Sequence, residues 1–368
     1  MNYYEKELNA LKKVNRFRER KIYDKKLLDL ASNDYLGLAS NKKLFKKAYK
    51  KVLKEKSFSP KASLLVNGYS NIHQNFEKKL CKVNGFEDGV VVGSGFLANI
   101  SMIESLIRQR DILFIDEDYH ASGMLATKLT TGDVVVFKHN DTKDLEDKIK
   151  LHNKQGRIII AIEGVYSMQG DIAPKEFYNI ANRYNAILIV DEAHSSGVIG
   201  KNLLGWFDYW DIKPKSNHIK MGTLGKAYGS YGAYILASKE IISYLENRAK
   251  PIIYSTAPSI FDIALGYESL KYILKNTKKL RKKIKLHQKI IKNILQIKTN
   301  SLITPIVINN NSKVLELQSK LIKDGYIVGA IRQPTVRQAI IRVIIKLDID
   351  KSDLIRFCNL FVKHHIKQ

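Results

Sequence analysis

The feature of the sequence that most restricts its fold is a repeated order of apolar run, polar loop and helix between about residues 90 and 240. The apolar runs are continuous and do not alternate with polar residues, so each predicts a strand buried on both faces. Such strands need helices on both sides, and the order therefore predicts an α/β fold with a mostly parallel sheet. We expect these strands at residues 90–92, 112–115, 134–137, 158–162, 187–190 and 233–236.

The segments on either side follow other patterns. Apolar spacing predicts a helix over residues 5–20 and another over 42–54, the second with Leu44, Phe45, Val52 and Leu53 facing inward. From about residue 256 a long basic helix is expected over 271–297, then strands at 304–308 and 340–345 around a helix at 313–324. We therefore expect an N-terminal arm (1–40), a large domain (41–255) and a small α+β domain (256–368).

The charge of the chain is strongly positive, at +26 from 62 basic and 36 acidic residues. Three explanations compete, namely a compositional bias toward lysine, attraction of an anionic substrate or acidic carrier, and nucleic-acid binding. We favour them in that order, because no basic stretch is interleaved with aromatic residues in the manner of a nucleic-acid-binding module.

Cysteine usage and the lack of long apolar runs indicate the cellular setting. Cys81 and Cys358 are far apart in the chain, which argues against a disulfide scaffold or a zinc site and favours a reducing compartment. The N-terminus lacks the apolar core of a signal peptide, and no apolar run reaches the roughly 18 residues of a spanning helix. We expect a soluble, cytoplasmic protein with no membrane contact and no bound metal.

One lysine stands out from the many surface lysines because it lies among glycines. Lys226 is flanked by Gly222, Gly225 and Gly229, which allow close approach of the backbone to a ligand. A lysine in such a loop can become a desolvated amine nucleophile. Asp191 ends an apolar run earlier in the chain, where a buried carboxylate could face a cationic nitrogen. We interpret Lys226 as the residue that holds pyridoxal phosphate through a Schiff base.

The other groups that this cofactor requires also occur at predicted strand ends or in the lysine loop. It needs a phosphate cradle, a group flat against its ring and a carboxylate at the ring nitrogen. The candidates are Gly95 and Phe96 for the phosphate, His120 for stacking, Asp191 for the nitrogen, His194 for the ring hydroxyl and Thr223 for the phosphate. Each has an ordinary alternative taken alone. The run from Asp191 to His194 also occurs in helicases, but the phosphate-binding loop of a helicase is missing upstream.

Seven motifs in one order make the interpretation specific. They lie at residues 32–38, 68–74, 163–171, 191–200, 222–226, 254–257 and 331–336. In these motifs, and over nearly its whole length, the chain resembles the α-oxoamine synthases, a branch of the fold-type I pyridoxal phosphate enzymes. The resemblance implies a large domain with a mostly parallel seven-stranded sheet, a smaller α+β C-terminal domain and an N-terminal helical arm. Residues 58–67 depart from the glycine-rich segment usual in the family.

The resemblance also assigns roles to particular residues. It implies that Lys226 removes the Cα proton of the amino acid, that Ser167 contacts the ring and that Arg342 binds the amino-acid carboxylate. Thr256 would reach the phosphate in a neighbouring subunit, which implies a homodimer with shared active sites. The remaining substrate-side residues by resemblance are Arg16, Asn33 and Thr335.

Within the family, the chain is most similar to the branch that serves biotin synthesis. That similarity implies decarboxylative condensation of L-alanine with a pimeloyl thioester, carried on coenzyme A or on an acyl carrier protein. Another member that joins glycine to acetyl-CoA is the nearest alternative, and an aminotransferase of the same fold is a second. A basic nucleic-acid-binding protein is the alternative from a different class.

Overall fold

The computed structural model describes residues 2–152 and 156–366, which form two compact units. The larger unit comprises Asp34–Ser167 and Asp171–Lys282, and the smaller unit comprises Met1–Asn33, Met168–Gly170 and Lys283–Gln368. No helix among the described residues is both long enough and apolar enough to cross a membrane.

Strands and helices alternate through most of the chain. The strands are β1 (Leu28–Asp29), β2 (Asp88–Val92), β3 (Ile112–Asp116), β4 (Asp133–Phe137), β5 (Ile158–Glu163), β6 (Ile187–Asp191), β7 (His218–Thr223), β8 (Ala233–Ala237), β9 (Ile303–Val307), β10 (Tyr326–Ile327), β11 (Gly329–Ile331) and β12 (Ile340–Ile344). The helices are α1 (Glu5–Lys13), α2 (Lys42–Val52), α3 (Asn71–Asn84), α4 (Gly95–Leu106), α5 (Ala121–Ala126), α6 (Thr142–Leu151), α7 (Glu176–Arg183), α8 (Trp206–Tyr209), α9 (Lys239–Arg248), α10 (Lys250–Ile253), α11 (Ile260–Leu295), α12 (Asn311–Lys323) and α13 (Lys351–Ile366). Residues Leu64–Gly68 form a short π-helical turn.

The larger unit is built on a seven-stranded sheet in the order β2-β8-β7-β6-β5-β3-β4. Strands β3 to β7 run parallel, and β8 is antiparallel to both of its neighbours. Every residue of β3 and β8 is buried, as expected for strands covered on both faces. The predicted mostly parallel seven-stranded sheet is confirmed. Because β5, β6 and β7 are parallel neighbours, their carboxyl ends lie along one edge of the sheet.

Strand β7 was not predicted from the sequence, because His218 and Lys220 interrupt its apolar pattern. Both side chains are buried, and Lys220 is only 1% exposed. Its Nζ atom lies 3.4 Å from Oε1 of Glu192 and donates a hydrogen bond to the backbone oxygen of Leu204. A buried ion pair therefore replaces an apolar side chain in this strand. Burial lowers the pKa of Lys220, and the charge of Glu192 opposes that shift.

Two glycines around the lysine loop are required by their surroundings. A Cβ atom at Gly222, near the end of β7, would lie 2.3 Å from the ring of Tyr234 on β8. Gly229 has a φ of +58°, and a Cβ atom there would lie 2.4 Å from the backbone nitrogen of Ala39. Gly225 is different, since a Cβ atom there would meet nothing closer than 3.7 Å.

The smaller unit contains a three-stranded antiparallel sheet in the order β11-β12-β9 and a parallel pair, β1 with β10. Its first helix is shorter than predicted. Helix α1 ends at Lys13 rather than residue 20, and Asn15 just beyond it has a φ of 54°. The basic side chains at positions 16, 18, 20 and 21 repel one another, which disfavours a continued helix.

Two helix predictions within or partly within the larger unit also need correction. In α2 the side chains of Leu44 and Val52 are buried as expected, but Phe45 and Leu53 are about half exposed. The predicted helix at 271–297 begins earlier, so that α11 is 36 residues long. Asp141 caps α6, because its side chain accepts a hydrogen bond from the backbone nitrogen of Asp144.

Candidate active site

A cavity of about 220 Å³ lies in the larger unit, at the carboxyl edge of the sheet. The last residues of three parallel strands open onto it, namely Glu163 of β5, Asp191 of β6 and Thr223 of β7. The described residues that line it are Gly95, Phe96, Asn99, His120, Ser122, Glu163, Asp191, Ala193, His194, Met221, Thr223 and Lys226. The structure thus brings together seven of the residues that the sequence suggested, from Gly95 to Lys226.

Lys226 lies at one end of a chain of hydrogen-bonding groups. Its Nζ atom is 2.8 Å from Nε2 of His194, and the Nδ1 atom of His194 is 2.5 Å from the hydroxyl oxygen of Tyr35. His194 and Tyr35 are buried, and Lys226 is partly buried. When the Tyr35 hydroxyl donates to Nδ1, Nε2 carries the imidazole proton and faces a neutral Lys226 amine. Tyr35 is therefore placed where it can select the tautomer of His194, a position that the sequence did not suggest.

Asp191 is a buried carboxylate held by neutral donors. Its Oδ2 atom accepts a hydrogen bond from Nδ2 of Asn99 at 2.8 Å, and Oδ1 accepts from the backbone nitrogen of Ala193 at 2.9 Å. The hydroxyl of Tyr119 donates to Oδ1 of Asn99 at 2.9 Å, which fixes the orientation of that amide. Among the described residues, no salt bridge includes Asp191. A cation in the cavity would therefore find a buried carboxylate that is already positioned.

His120 precedes α5 and is connected to the Asp191 network. Its Nδ1 atom accepts a hydrogen bond from the backbone nitrogen of Ser122 at 3.2 Å and lies 2.7 Å from the Ser122 hydroxyl. That hydroxyl also accepts from Nδ2 of Asn99 at 2.9 Å. Burial lowers the pKa of His120, an effect that the charge of Asp191 opposes and the charge of Lys226 reinforces. A neutral imidazole is therefore favoured here.

The start of α4 supplies donors for an anion. Ser94 caps this 12-residue helix by accepting a hydrogen bond from the backbone nitrogen of Leu97. Gly95 and Phe96, in the first turn, line the cavity, and the first turn of a helix presents backbone N–H groups that bind phosphate. Thr223 lies across from this turn, and its hydroxyl donates to the backbone oxygen of Gly232 at 3.0 Å.

Glu163 also lines the cavity, although its place in a motif was the only sign of a role in the sequence. The residue is 1% exposed. Its Oε2 atom accepts a hydrogen bond from the backbone nitrogen of Ser167 at 3.2 Å, whereas Oε1 has no hydrogen-bond partner among the described residues. Asn99 and Ser122 were likewise missed, because only the folded chain places them against Asp191 and His120.

Other suggested residues lie away from this cavity. Ser167 is buried beside Glu163 but is not part of the lining, and Thr256 is exposed on the same unit. In the smaller unit, Nη1 and Nη2 of Arg342 both donate to Oδ1 of Asn33 at 3.1 Å. In that unit too, Arg16 and Thr335 are exposed, and Thr335 accepts a hydrogen bond from Arg18. The roles suggested for these residues stay predictions.

The groups in the cavity fit pyridoxal phosphate. Lys226 offers an amine for the aldehyde, and Asp191 offers a buried carboxylate for the protonated ring nitrogen. The first turn of α4 with Thr223 offers donors to the phosphate. His120 offers a flat neutral ring. These are the four kinds of group that the cofactor requires.

Comparison with known proteins agrees with the geometry. The model of the aminotransferase class I and II family matches residues 25–359, and the chain belongs to that family. Family and site together define a pyridoxal phosphate-dependent enzyme, and the expected cofactor is confirmed.

The similar proteins include particular enzymes. The 8-amino-7-oxononanoate synthase of Helicobacter pylori is 43% identical over 362 residues, covering 98% of this chain and 97% of the relative. The structure of the Francisella tularensis enzyme of that name is 28% identical, with a TM-score of 0.76, covering 94% of this chain and 99% of the other. Serine palmitoyltransferase from S. paucimobilis, bound to a conjugate of pyridoxal phosphate and myriocin, shares the fold, with a TM-score of 0.88 at 20% identity over 98% of both chains.

Proposed function

We propose that the chain condenses L-alanine with a pimeloyl thioester and releases 8-amino-7-oxononanoate, carbon dioxide and the free thiol of the carrier. The observation that carries this proposal is the 43% identity to the Helicobacter pylori synthase over nearly the full length of both chains. The cavity with Lys226, Asp191, His120 and His194 supports it, because these side chains supply the acid–base and binding groups for such a reaction.

When bound, pyridoxal phosphate supplies an electron sink that stabilises a carbanion at the Cα atom of alanine. Lys226 holds the cofactor before alanine enters, and its Nζ atom then accepts the Cα proton as a general base. Asp191 keeps a proton on the ring nitrogen, because a buried carboxylate with neutral neighbours favours a cation beside it. His194 contacts Tyr35 through Nδ1 and Lys226 through Nε2, and it orients the Lys226 amine. His120 excludes water from one face of the site.

The substrate side of the proposal involves the smaller unit. We propose that Arg342 binds the alanine carboxylate, for which a planar guanidinium is well suited. Its two terminal nitrogens are held on one side by Oδ1 of Asn33, so the guanidinium has a defined orientation within its unit. The roles of Arg16 and Thr335 rest on the family resemblance alone.

We also propose a cytoplasmic homodimer in which each subunit contributes to the site of the other. Thr256 is exposed and is not among the described residues that line the cavity of its own chain. Both properties are expected of a residue that contributes to the site of a partner subunit. Large apolar side chains of the larger unit are also exposed, among them Phe58, Val66 and Tyr254. Exposed apolar surface of this kind is typical of subunit interfaces. Light scattering of the purified chain tests the dimer.

The acyl carrier is proposed to bind at a second, larger cavity in the same unit. This cavity has a volume of about 530 Å³ and is lined by Lys54, Lys56 and Lys61, by one carboxylate, Glu55, and by polar residues around Tyr69. Both coenzyme A and an acyl carrier protein are anionic, so three lysines provide attraction to either. If this is correct, kcat/KM for the thioester falls with rising ionic strength, and falls less in a variant with all three lysines changed to glutamine.

The experiment that tests the function is a product assay with matched substrates. The purified chain is incubated with pyridoxal phosphate and alanine plus pimeloyl-CoA, alanine plus pimeloyl-acyl carrier protein, or glycine plus acetyl-CoA, and products are identified by mass spectrometry. We expect 8-amino-7-oxononanoate from at least one pimeloyl carrier. A product only from glycine and acetyl-CoA would favour the other branch of the family, and amino-group transfer to a 2-oxo acid without thioester would favour an aminotransferase.

A further inference from the structure

Two buried carboxylates lie side by side at the edge of the cofactor cavity. Glu163 and Asp191 are direct partners in the register of the parallel strands β5 and β6. Both line the cavity, and they are 1% and 4% exposed. Parallel neighbours at the same register point to the same face of a sheet, so the two side chains share one environment.

The two carboxyl groups differ in how many of their oxygens accept hydrogen bonds. Both oxygens of Asp191 accept hydrogen bonds, from Asn99 and from the backbone nitrogen of Ala193. Glu163 accepts one from the backbone nitrogen of Ser167 at Oε2, and its Oε1 atom has no hydrogen-bond partner within the described residues. Both oxygens of Asp191 are therefore occupied as acceptors, whereas Oε1 of Glu163, which has no partner among the described residues, can carry a proton.

Electrostatics point the same way. Two adjacent carboxylates in a low-dielectric site do not both ionise without a large cost. Burial raises the pKa of Glu163 well above its usual value, and the charge of Asp191 raises it further. The charge of Lys226 and hydrogen bonding from the backbone of His120 and Ser167 oppose this rise but do not cancel it. The other titratable groups that line the cavity are His120 and His194.

We propose that Glu163 is a positioning residue that stays a neutral carboxylic acid beside the ionised Asp191, so that the pair presents one negative charge to the ring of the cofactor. A single charge matches the single positive charge of a protonated ring nitrogen and leaves no second buried charge without a partner. The neutral acid also keeps a donor, Oε1–H, inside the cavity. This inference rests on the cofactor site proposed above.

The test is infrared difference spectroscopy of the full chain, in which the spectrum of Glu163→Gln is subtracted from that of the unchanged protein. Both proteins are measured with and without pyridoxal phosphate. We expect a carbonyl band of a protonated carboxyl group at neutral pH that is missing in Glu163→Gln. Glu77 is the matched control, because it is another buried carboxyl whose pKa is raised, to about 8, by burial. Glu77→Gln must remove a separate component and leave the Glu163 band unchanged.

A second variant tests the coupling without altering Glu163. In Asp191→Asn the neighbouring negative charge is gone, so the Glu163 band should disappear at a lower pH than in the unchanged protein.

Glu163→Gln, which mimics the neutral acid, should bind pyridoxal phosphate within about threefold of the unchanged affinity, a difference below 1 kcal/mol. Absence of the band at neutral pH, no shift in Asp191→Asn, or a loss of affinity beyond about tenfold would each overturn the inference. If the unchanged chain does not bind pyridoxal phosphate, the proposed function is refuted instead. The two failures can be distinguished, because the Glu163 band is also measured in the chain without pyridoxal phosphate.

Discussion

The hydrogen bond between Tyr35 and His194 allows a quantitative prediction. Tyr35→Phe removes a hydroxyl that lies 2.5 Å from Nδ1 of His194 and leaves the ring of residue 35 in its buried position. Loss of a partner in a buried hydrogen bond costs about 1–3 kcal/mol. If that cost falls on the step in which Lys226 moves a proton, kcat falls by about 5- to 150-fold.

The assay is steady-state condensation over a range of pH, together with thermal unfolding of each variant. Tyr234→Phe is the matched control, because the Tyr234 hydroxyl is also buried but donates to Oγ of Ser196 at 3.1 Å rather than to His194. Both variants should lose similar stability, but only Tyr35→Phe should change the pH profile of kcat, since only it frees the tautomer of His194. An unchanged kcat and pH profile in Tyr35→Phe would refute a role for Tyr35 in the site.

Three further predictions concern the ring charge, the alkaline stability and the packing of β7. Asp191→Asn should slow exchange of the alanine Cα hydrogen with deuterated water by about a hundredfold or more, and an unchanged exchange rate would contradict its role at the ring nitrogen. His139 lies between Asp116 and Asp171; burial alone would lower its pKa, but hydrogen bonds to the two carboxylates outweigh burial and raise it to about 10. Because the folded pKa is raised, His139 contributes its full stabilisation below the unfolded pKa near 6.5, and this contribution is lost as the pH rises toward 10. The free energy of unfolding of His139→Gln in urea should therefore depend less on pH in this range. An unchanged dependence on pH would exclude the contacts of His139 with the two carboxylates as the cause. Gly222→Ala should lower the free energy of unfolding by about 1–3 kcal/mol through its clash with Tyr234, whereas Gly225→Ala, which meets nothing within 3.7 Å, should have the stability of the unchanged protein.

The fold could be predicted where burial follows apolar sequence. Strands β2 to β6 and β8 were found because their residues are continuously apolar, as strands covered on both faces must be. Strand β7 was missed because its buried Lys220 is compensated by Glu192, a residue 28 positions away in the chain, and that pairing exists only in the folded structure. The prediction that Phe45 and Leu53 face inward was wrong for a related reason, because apolar character alone does not determine which side chains a helix buries.

The residues of the candidate site likewise fall into those that the sequence pattern suggested and those that it missed. Lys226, Asp191 and His120 could be suggested because each lies at a strand end or in a glycine loop, where ligands bind in α/β sheets. Tyr35 could not be assigned, since its partner His194 lies 159 residues further along the chain. Glu163 required the register of β5 against β6, which places it beside Asp191. Pattern and spacing thus reveal residues with their own chemical signal, and they miss those that act through a neighbour.

Chemical mapping of the cofactor lysine shows directly whether Lys226 holds pyridoxal phosphate. The purified chain is loaded with pyridoxal phosphate, reduced with borohydride and digested, and the peptides are searched by mass spectrometry for the pyridoxyl group. We predict that the group is found on Lys226 and that Lys226→Ala binds none covalently and makes no product. A pyridoxyl group on another lysine, or full condensation activity in Lys226→Ala, would contradict the account.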